Sequence, residues 1–248
     1  SALLPAASRL VATADRRGLA RAAHGAFGTA IWLILPVAGI GQVIAPGVVA
    51  VTLGPSADPS SVERTAMLLR LLFLGLPAMA ATAVFARLCY SVGDTRGPVG
   101  AALAGVAVML ATQSLLAPVL GLGSLAAAVA IGEWIECGIL LARVRSRVAG
   151  PKVRGFLSGV PTCIALSACA AAIALGIIAA ATALDLQRDW LSAALVTTVA
   201  GGASLAAYLA GTALLGLEAA APILRRATQR LPTGGRVATG DSQRGNNR

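Results

Sequence analysis

Apolar residues run through this chain in stretches too long for a soluble core, each closed by a short cluster of turn residues. A helix that crosses a bilayer needs about 20 consecutive apolar residues. Six stretches qualify: Gly25–Leu53, Thr65–Ser91, Val99–Leu120, Ser124–Ala142, Phe156–Leu184 and Trp190–Leu217. Between them stand GPSADPSS, GDTRGP, GLGS, RVRSRVAGPKVRG and DLQRD, all rich in residues that cap helices or turn the chain. The pattern predicts an all-α fold, a polytopic transmembrane bundle of six spans. It divides the chain into a cytoplasmic segment at 1–24, four spans within 25–155, two more within 156–217 and a basic tail at 218–248. That tail, polar and Gly-rich from Thr233 on, reads as disordered. The first residues read as the end of an element that precedes Ser1.

Composition strengthens the membrane reading. The 248 residues are 57% hydrophobic and 12% charged, against about 25% charged in an ordinary soluble domain. The net charge of +10 raises the question of nucleic acid, and its distribution answers it. Basic residues fall before the first span (Arg9, Arg16, Arg17, Arg21), after the second (Arg87, Arg96), after the fourth (Arg143 to Arg154) and after the sixth (Arg225 to Arg248). The opposite side carries Arg64 and Arg188 among Asp58, Glu63, Asp185 and Asp189. Basic residues mark cytoplasmic loops, so both ends are expected in the cytoplasm and no nucleic-acid partner is expected. Cys89, Cys137, Cys163 and Cys169 lie in or beside apolar runs, without a CxxC, and His24 is the single histidine. No metal site, disulfide framework or cofactor is expected.

Within the spans, polar residues are the functional pointers, because charge in hydrocarbon is costly. Arg70 lies in MLLRLLF of the second span, Gln113 in ATQSL of the third, and Glu133 and Glu136 in IGEWIECG of the fourth. The two glutamates share a helical face at i, i+3. With Arg87 at the cytoplasmic end of the second span, they are the candidate lining of a path for a polar, charged cargo. Arg70 has a second reading, a side chain that snorkels to the interface. Pro36, Pro77, Pro118 and Pro161 are expected to interrupt four spans, as static kinks or as hinges. Gly202, Ala206 and Ala210 form a small-residue stripe on the sixth span, expected to pack closely on a partner helix. An enzyme is the rival class. A prenyl-pyrophosphate transferase would need clustered acidic ligands for Mg²⁺, and ExxE without an Asp pair does not supply them.

Three stretches carry a family resemblance. LLPAASRL (Leu3–Leu10) resembles an LLPxLSR segment. LFLGLPAMAATAVFARLCYSVGDTRGPV (Leu72–Val99) is similar to a GLP…RxFYAxxDTxTPV signature. AAYLAGTALLGLEAAAPILRR (Ala206–Arg226) looks like a last helix and its amphipathic end. Together they resemble the C-terminal part of the MurJ (MviN) lipid II flippases of the MOP exporter superfamily. In the signature hairpin Tyr90, Asp94, Thr95 and Pro98 match, while Cys89 replaces Phe and Gly97 stands where the family usually has Thr. The resemblance implies a bacterial cytoplasmic-membrane protein, not an enzyme. It implies translocation of a polyprenyl-pyrophosphate-linked glycan lipid by alternating access among membrane lipids. It would place a groove for the lipid tail along the last two spans. The family's cavity arginines lie in its N-terminal lobe and just before LLPxLSR, so none is carried over, and that lobe is expected to be missing from this chain. Glu136 stands near a position where relatives carry a neutral polar residue. Two alternatives stay open: a flippase or exporter for another polyprenyl-linked glycan or other cargo, and a non-transporting membrane module or degenerate fragment.

Overall fold

The computed structural model describes residues 16–146, 159–186 and 189–216. The LLPAASRL segment, the linker beyond Ser146, the amphipathic end after Gly216 and the basic tail lie outside the described residues. Six helices form: α1 (Arg16–Leu53), α2 (Pro59–Ser91), α3 (Arg96–Leu120), α4 (Gly123–Val144), α5 (Val160–Ala183) and α6 (Trp190–Leu214). All six are long and apolar enough to span a membrane. The all-helical, six-span fold expected from the hydrophobic pattern is the fold observed.

Helix ends follow local chemistry. α2 begins six residues before the apolar run does, at Pro59 rather than Thr65, because Asp58 caps it. The Asp58 carboxylate accepts the Ser61 amide at 3.2 Å and the Ser60 hydroxyl. Pro59, which has no N–H to leave unpaired, occupies the first turn. The Ser60 hydroxyl first, then the Ser61 amide, hold the Asp58 carboxyl below its ordinary range. α1 extends the other way, into the basic segment, and is helical from Arg16.

The helices do not pack in chain order. α3 lies on α4, α4 on α2, and α2 on α1; α1 in turn receives both α5 and α6, which also pack on each other. α2 and α3 are consecutive yet scarcely touch, because α4 sits between them. The main core joins Phe27 and Ile31 of α1, Phe85 and Leu88 of α2, Ala101 of α3, and Leu140 and Val144 of α4. A second cluster joins Trp32 and Ile40 of α1 to Cys163 and Ala170 of α5 and to Ala200 and Tyr208 of α6. Where α3 crosses α4, Gly105 meets Gly132. A Cβ on Gly132 would stand 3.0 Å from the Gly105 carbonyl oxygen. The two backbones approach this closely only because neither carries a side chain there.

Two expectations are corrected. Pro161 does not interrupt a span; it sits in the first turn of α5, a position that costs proline nothing. The unanticipated interior proline is Pro46, in α1 with Pro36. The Gly202–Ala206–Ala210 stripe does not mediate packing among the described helices. All three residues are exposed, and α6 instead buries Ala200, Ser204, Tyr208 and Thr212. Both stripes have four-residue spacing, and α6 is apolar on every side, so periodicity does not tell them apart.

Candidate substrate path and hairpin

The GDTRGP hairpin closes α2 and opens α3 with one set of atoms. The Asp94 amide donates to the Cys89 carbonyl (3.0 Å) and the Gly93 amide to the Tyr90 carbonyl (3.1 Å). This double closure needs a left-handed residue, and Gly93 supplies it at φ 79°. Asp94 then turns to the next helix. Its Oδ1 accepts the Gly97 amide at 2.9 Å, so Asp94 caps the start of α3, whereas Thr95 makes no capping bond. Asp94 is 7% exposed, and Arg143 in the last turn of α4 approaches its Oδ2 at 3.7 Å. A Cβ on residue 97 would stand 2.6 Å from that oxygen. Glycine in place of threonine therefore leaves room for the carboxylate to fold over the helix start. Pro98 is buried in the first turn, while Tyr90 and Thr95 are exposed.

At the opposite end a cleft of about 540 Å³ opens between α1, α2 and the start of α6. Its lining includes Pro46, Glu63, Ala66, Arg70, Asp189 and Trp190. Glu63 and Asp189 thus share one end of the bundle, and Arg96, Arg143 and the α2–α3 hairpin share the other. The uneven charge distribution seen along the chain is preserved between the two folded ends. Arg70 is exposed but engaged. Its Nε–H donates to the Gln42 carbonyl at 2.9 Å, and the Gln42 amide donates back to the Arg70 carbonyl at 2.8 Å.

The acidic pair lies elsewhere. Glu133 and Glu136 are half-buried on α4. Glu136 lies over α3: a Cβ on Gly105 would stand 3.2 Å from its Cβ and 3.4 Å from its Oε2. Gln113 is further along α3, half-buried, and its buried Oε1 has no hydrogen-bond partner. Eight residues separate Gln113 from Gly105, about 12 Å of helix. Arg87 is exposed near the hairpin end of α2. The structure therefore brings Glu136 to the α3–α4 seam, sets Arg70 in the cleft at the end opposite the hairpin, and leaves Arg87 apart from both. It does not gather the five residues into one cavity.

Several polar contacts between helices escaped sequence reasoning. Trp134 of α4 donates its indole N–H to the Leu74 carbonyl of α2 (3.0 Å). Ser167 of α5 donates to the Leu35 carbonyl of α1 (2.8 Å), and Tyr208 of α6 to the Trp32 carbonyl (2.8 Å). Each receiving carbonyl lies one to four residues before a proline, and that is the signal a sequence offers. It says where a donor is wanted and not which side chain supplies it. Among the described residues no group of three or more His, Cys, Asp and Glu could hold a metal ion.

Among known proteins, the family model for the lipid II flippase MurJ matches residues 1–201. No curated protein matches the chain.

Proposed function

The chain belongs to the MurJ family of lipid II flippases, transporters of the cytoplasmic membrane, and from that premise we propose that it forms the family's last six helices. In this reading it moves lipid-linked peptidoglycan precursor across the membrane by alternating access, jointly with a further lobe that carries the pyrophosphate-binding arginines. Both ends face the cytoplasm. The observation that carries the reading is the family match over residues 1–201, on a chain with six helices fit to span a membrane. The order of the three motif stretches supports the assignment to the last helices. In this reading the α3–α4 seam at Glu136 borders the path, with Glu133 one turn away on α4 and Gln113 farther along α3. The groove for the polyprenyl tail runs along α5 and α6. Their exposed surface is apolar, as on Leu175, Leu195 and Leu205, and the exposed small residues Gly202, Ala206 and Ala210 let an acyl chain lie close to the helix.

The test is translocation in cells depleted of their own lipid II flippase. The chain, expressed together with an N-terminal lobe of the family, restores growth and the appearance of lipid II at the outer leaflet. Residues 1–248 alone do not. Restoration by the 248-residue chain alone overturns the need for a second lobe. Lipid II retained at the inner leaflet in both cases, with both proteins present in the membrane, overturns the flippase reading.

A further inference from the structure

A proline inside a helix has no N–H to donate, so the carbonyl four residues earlier loses its ladder partner. In hydrocarbon no water replaces it, and a donor must come from elsewhere in the protein. α1 contains two such prolines, Pro36 and Pro46. The carbonyls they free are those of Trp32 and Gln42. Both are taken by side chains from other helices. The Tyr208 hydroxyl of α6 donates to Trp32 at 2.8 Å, across 176 residues of sequence. The Arg70 Nε–H of α2 donates to Gln42 at 2.9 Å, across 28 residues.

We infer that Tyr208 and Arg70 are matched latches, each replacing the N–H that one proline of α1 lacks. They are positioning residues, and Arg70 serves the backbone of α1 rather than a cargo. The details fit this role at both breaks. Tyr208 is 1% exposed and its ring lies 6.3 Å from that of Trp32, so its ring and its hydroxyl engage the same residue of α1. Arg70 is held in place by the return bond from Gln42, which makes the contact two-stranded and fixes the register of α1 against α2. Arg70 and Pro46 both line the cleft, so this latch also sets the shape of the cleft wall. The latches come from two different helices. One ties α1 to α2 and the other ties it to α6, and α1 is the helix that joins those two parts of the bundle.

The experiment is a pair of double-mutant cycles on the whole chain in lipid nanodiscs, read as thermal unfolding midpoints. Arg70→Met leaves the Gln42 carbonyl unpaired and lowers the midpoint by roughly 5 °C. Pro46→Ala restores the helical N–H, and in that background Arg70→Met lowers it by less than about 2 °C. Tyr208→Phe behaves the same way toward Pro36→Ala. The crossed combinations, Arg70→Met with Pro36→Ala and Tyr208→Phe with Pro46→Ala, keep the full loss. If Arg70→Met fails to accumulate as folded protein, recovery by Pro46→Ala supports the latch and failure of both variants overturns it. Equal losses with and without the proline overturn it too. Transport abolished by Arg70→Met in both backgrounds, with midpoints unchanged, assigns Arg70 to the cargo and overturns the latch. The midpoint readout needs no lipid II, so the inference and the flippase reading stand or fall separately.

Discussion

The four-helix body and the α5–α6 pair are held in different ways, although both meet on α1. The body is closed by large apolar side chains. Phe27 of α1 stacks on Phe85 of α2 with ring centroids 5.3 Å apart, and Leu88, Leu140 and Val144 are sealed around them. The pair brings mostly small ones, Cys163, Ala170, Ala174 and Ala200, against Trp32 and Ile40 of α1, together with two hydroxyls, of Ser167 and Tyr208, that bond to the backbone of α1. Lipid tails are as apolar as leucine, so neither seam is driven by exclusion of water; fit and hydrogen bonding decide both. The body relies on shape over a wide contact. The pair relies on a few directional bonds at the point where Pro36 has opened α1. A wide apolar contact tolerates small sliding. A hydroxyl aimed at one carbonyl does not, and it fixes the register of a helix that would otherwise be uniform.

Three changes probe that contrast. Phe85→Ala has the largest expected effect. It empties a site 2% exposed and removes one ring of the stacked pair, at a cost of about 3 kcal/mol. Thermal unfolding in nanodiscs should fall in a single transition that carries all six helices, since the body supports α1. Two separated transitions would show that the pair survives alone. Ser167→Leu comes next, at about 1–3 kcal/mol. It removes the bond to the Leu35 carbonyl and drives extra carbon against Gly39, which Ser167 already touches. Cross-linking between cysteines placed at Ile44 and Gly201, where a Cβ on residue 201 would stand 3.4 Å from Ile44 Cδ1, should be lost, while a cross-link across the α2–α4 seam persists. Loss of both would erase the distinction between the two regions.

The smallest effect is the pH dependence of the Asp58 cap, a local and exposed contact outside the membrane. Its carboxyl is held below the ordinary range by Ser60 and Ser61, so the folded state binds the proton less readily than the unfolded chain. The cap's contribution is then complete above about pH 4 and is lost as pH falls through the lowered value. The midpoint difference between the native chain and Asp58→Ala should be constant near neutrality and shrink below about pH 4. A difference that grows on acidification would contradict the cap.

Parts of the candidate site were legible in particular residues. Gly93 and Asp94 announced a tight cytoplasmic-type hairpin, and the hairpin does close α2 and cap α3 through them. Glu136 was marked as costly to expose to lipid, and it lies over Gly105. Arg70 was marked for the same reason, but its partner was not foreseeable. Pro46 names the carbonyl in need, and many side chains in the sequence could have answered it. The role of Tyr208 was missed altogether, because a tyrosine in an apolar helix carries no distinguishing pattern.

The number of helices, the turn clusters between them, the loops that carry the basic charge and the family resemblance are all legible in the amino-acid sequence. The first three follow from apolar length, turn residues and loop charge, and the resemblance from three motif stretches, all read along one dimension. Helix packing sets the rest: α4 separates α2 from α3, α6 turns its Gly202 stripe outward, and Arg70 and Tyr208 close the breaks in α1. Helices that are apolar on every side do not mark the face they turn to protein apart from the face they turn to lipid. That choice is made by complementarity between helices far apart in the chain.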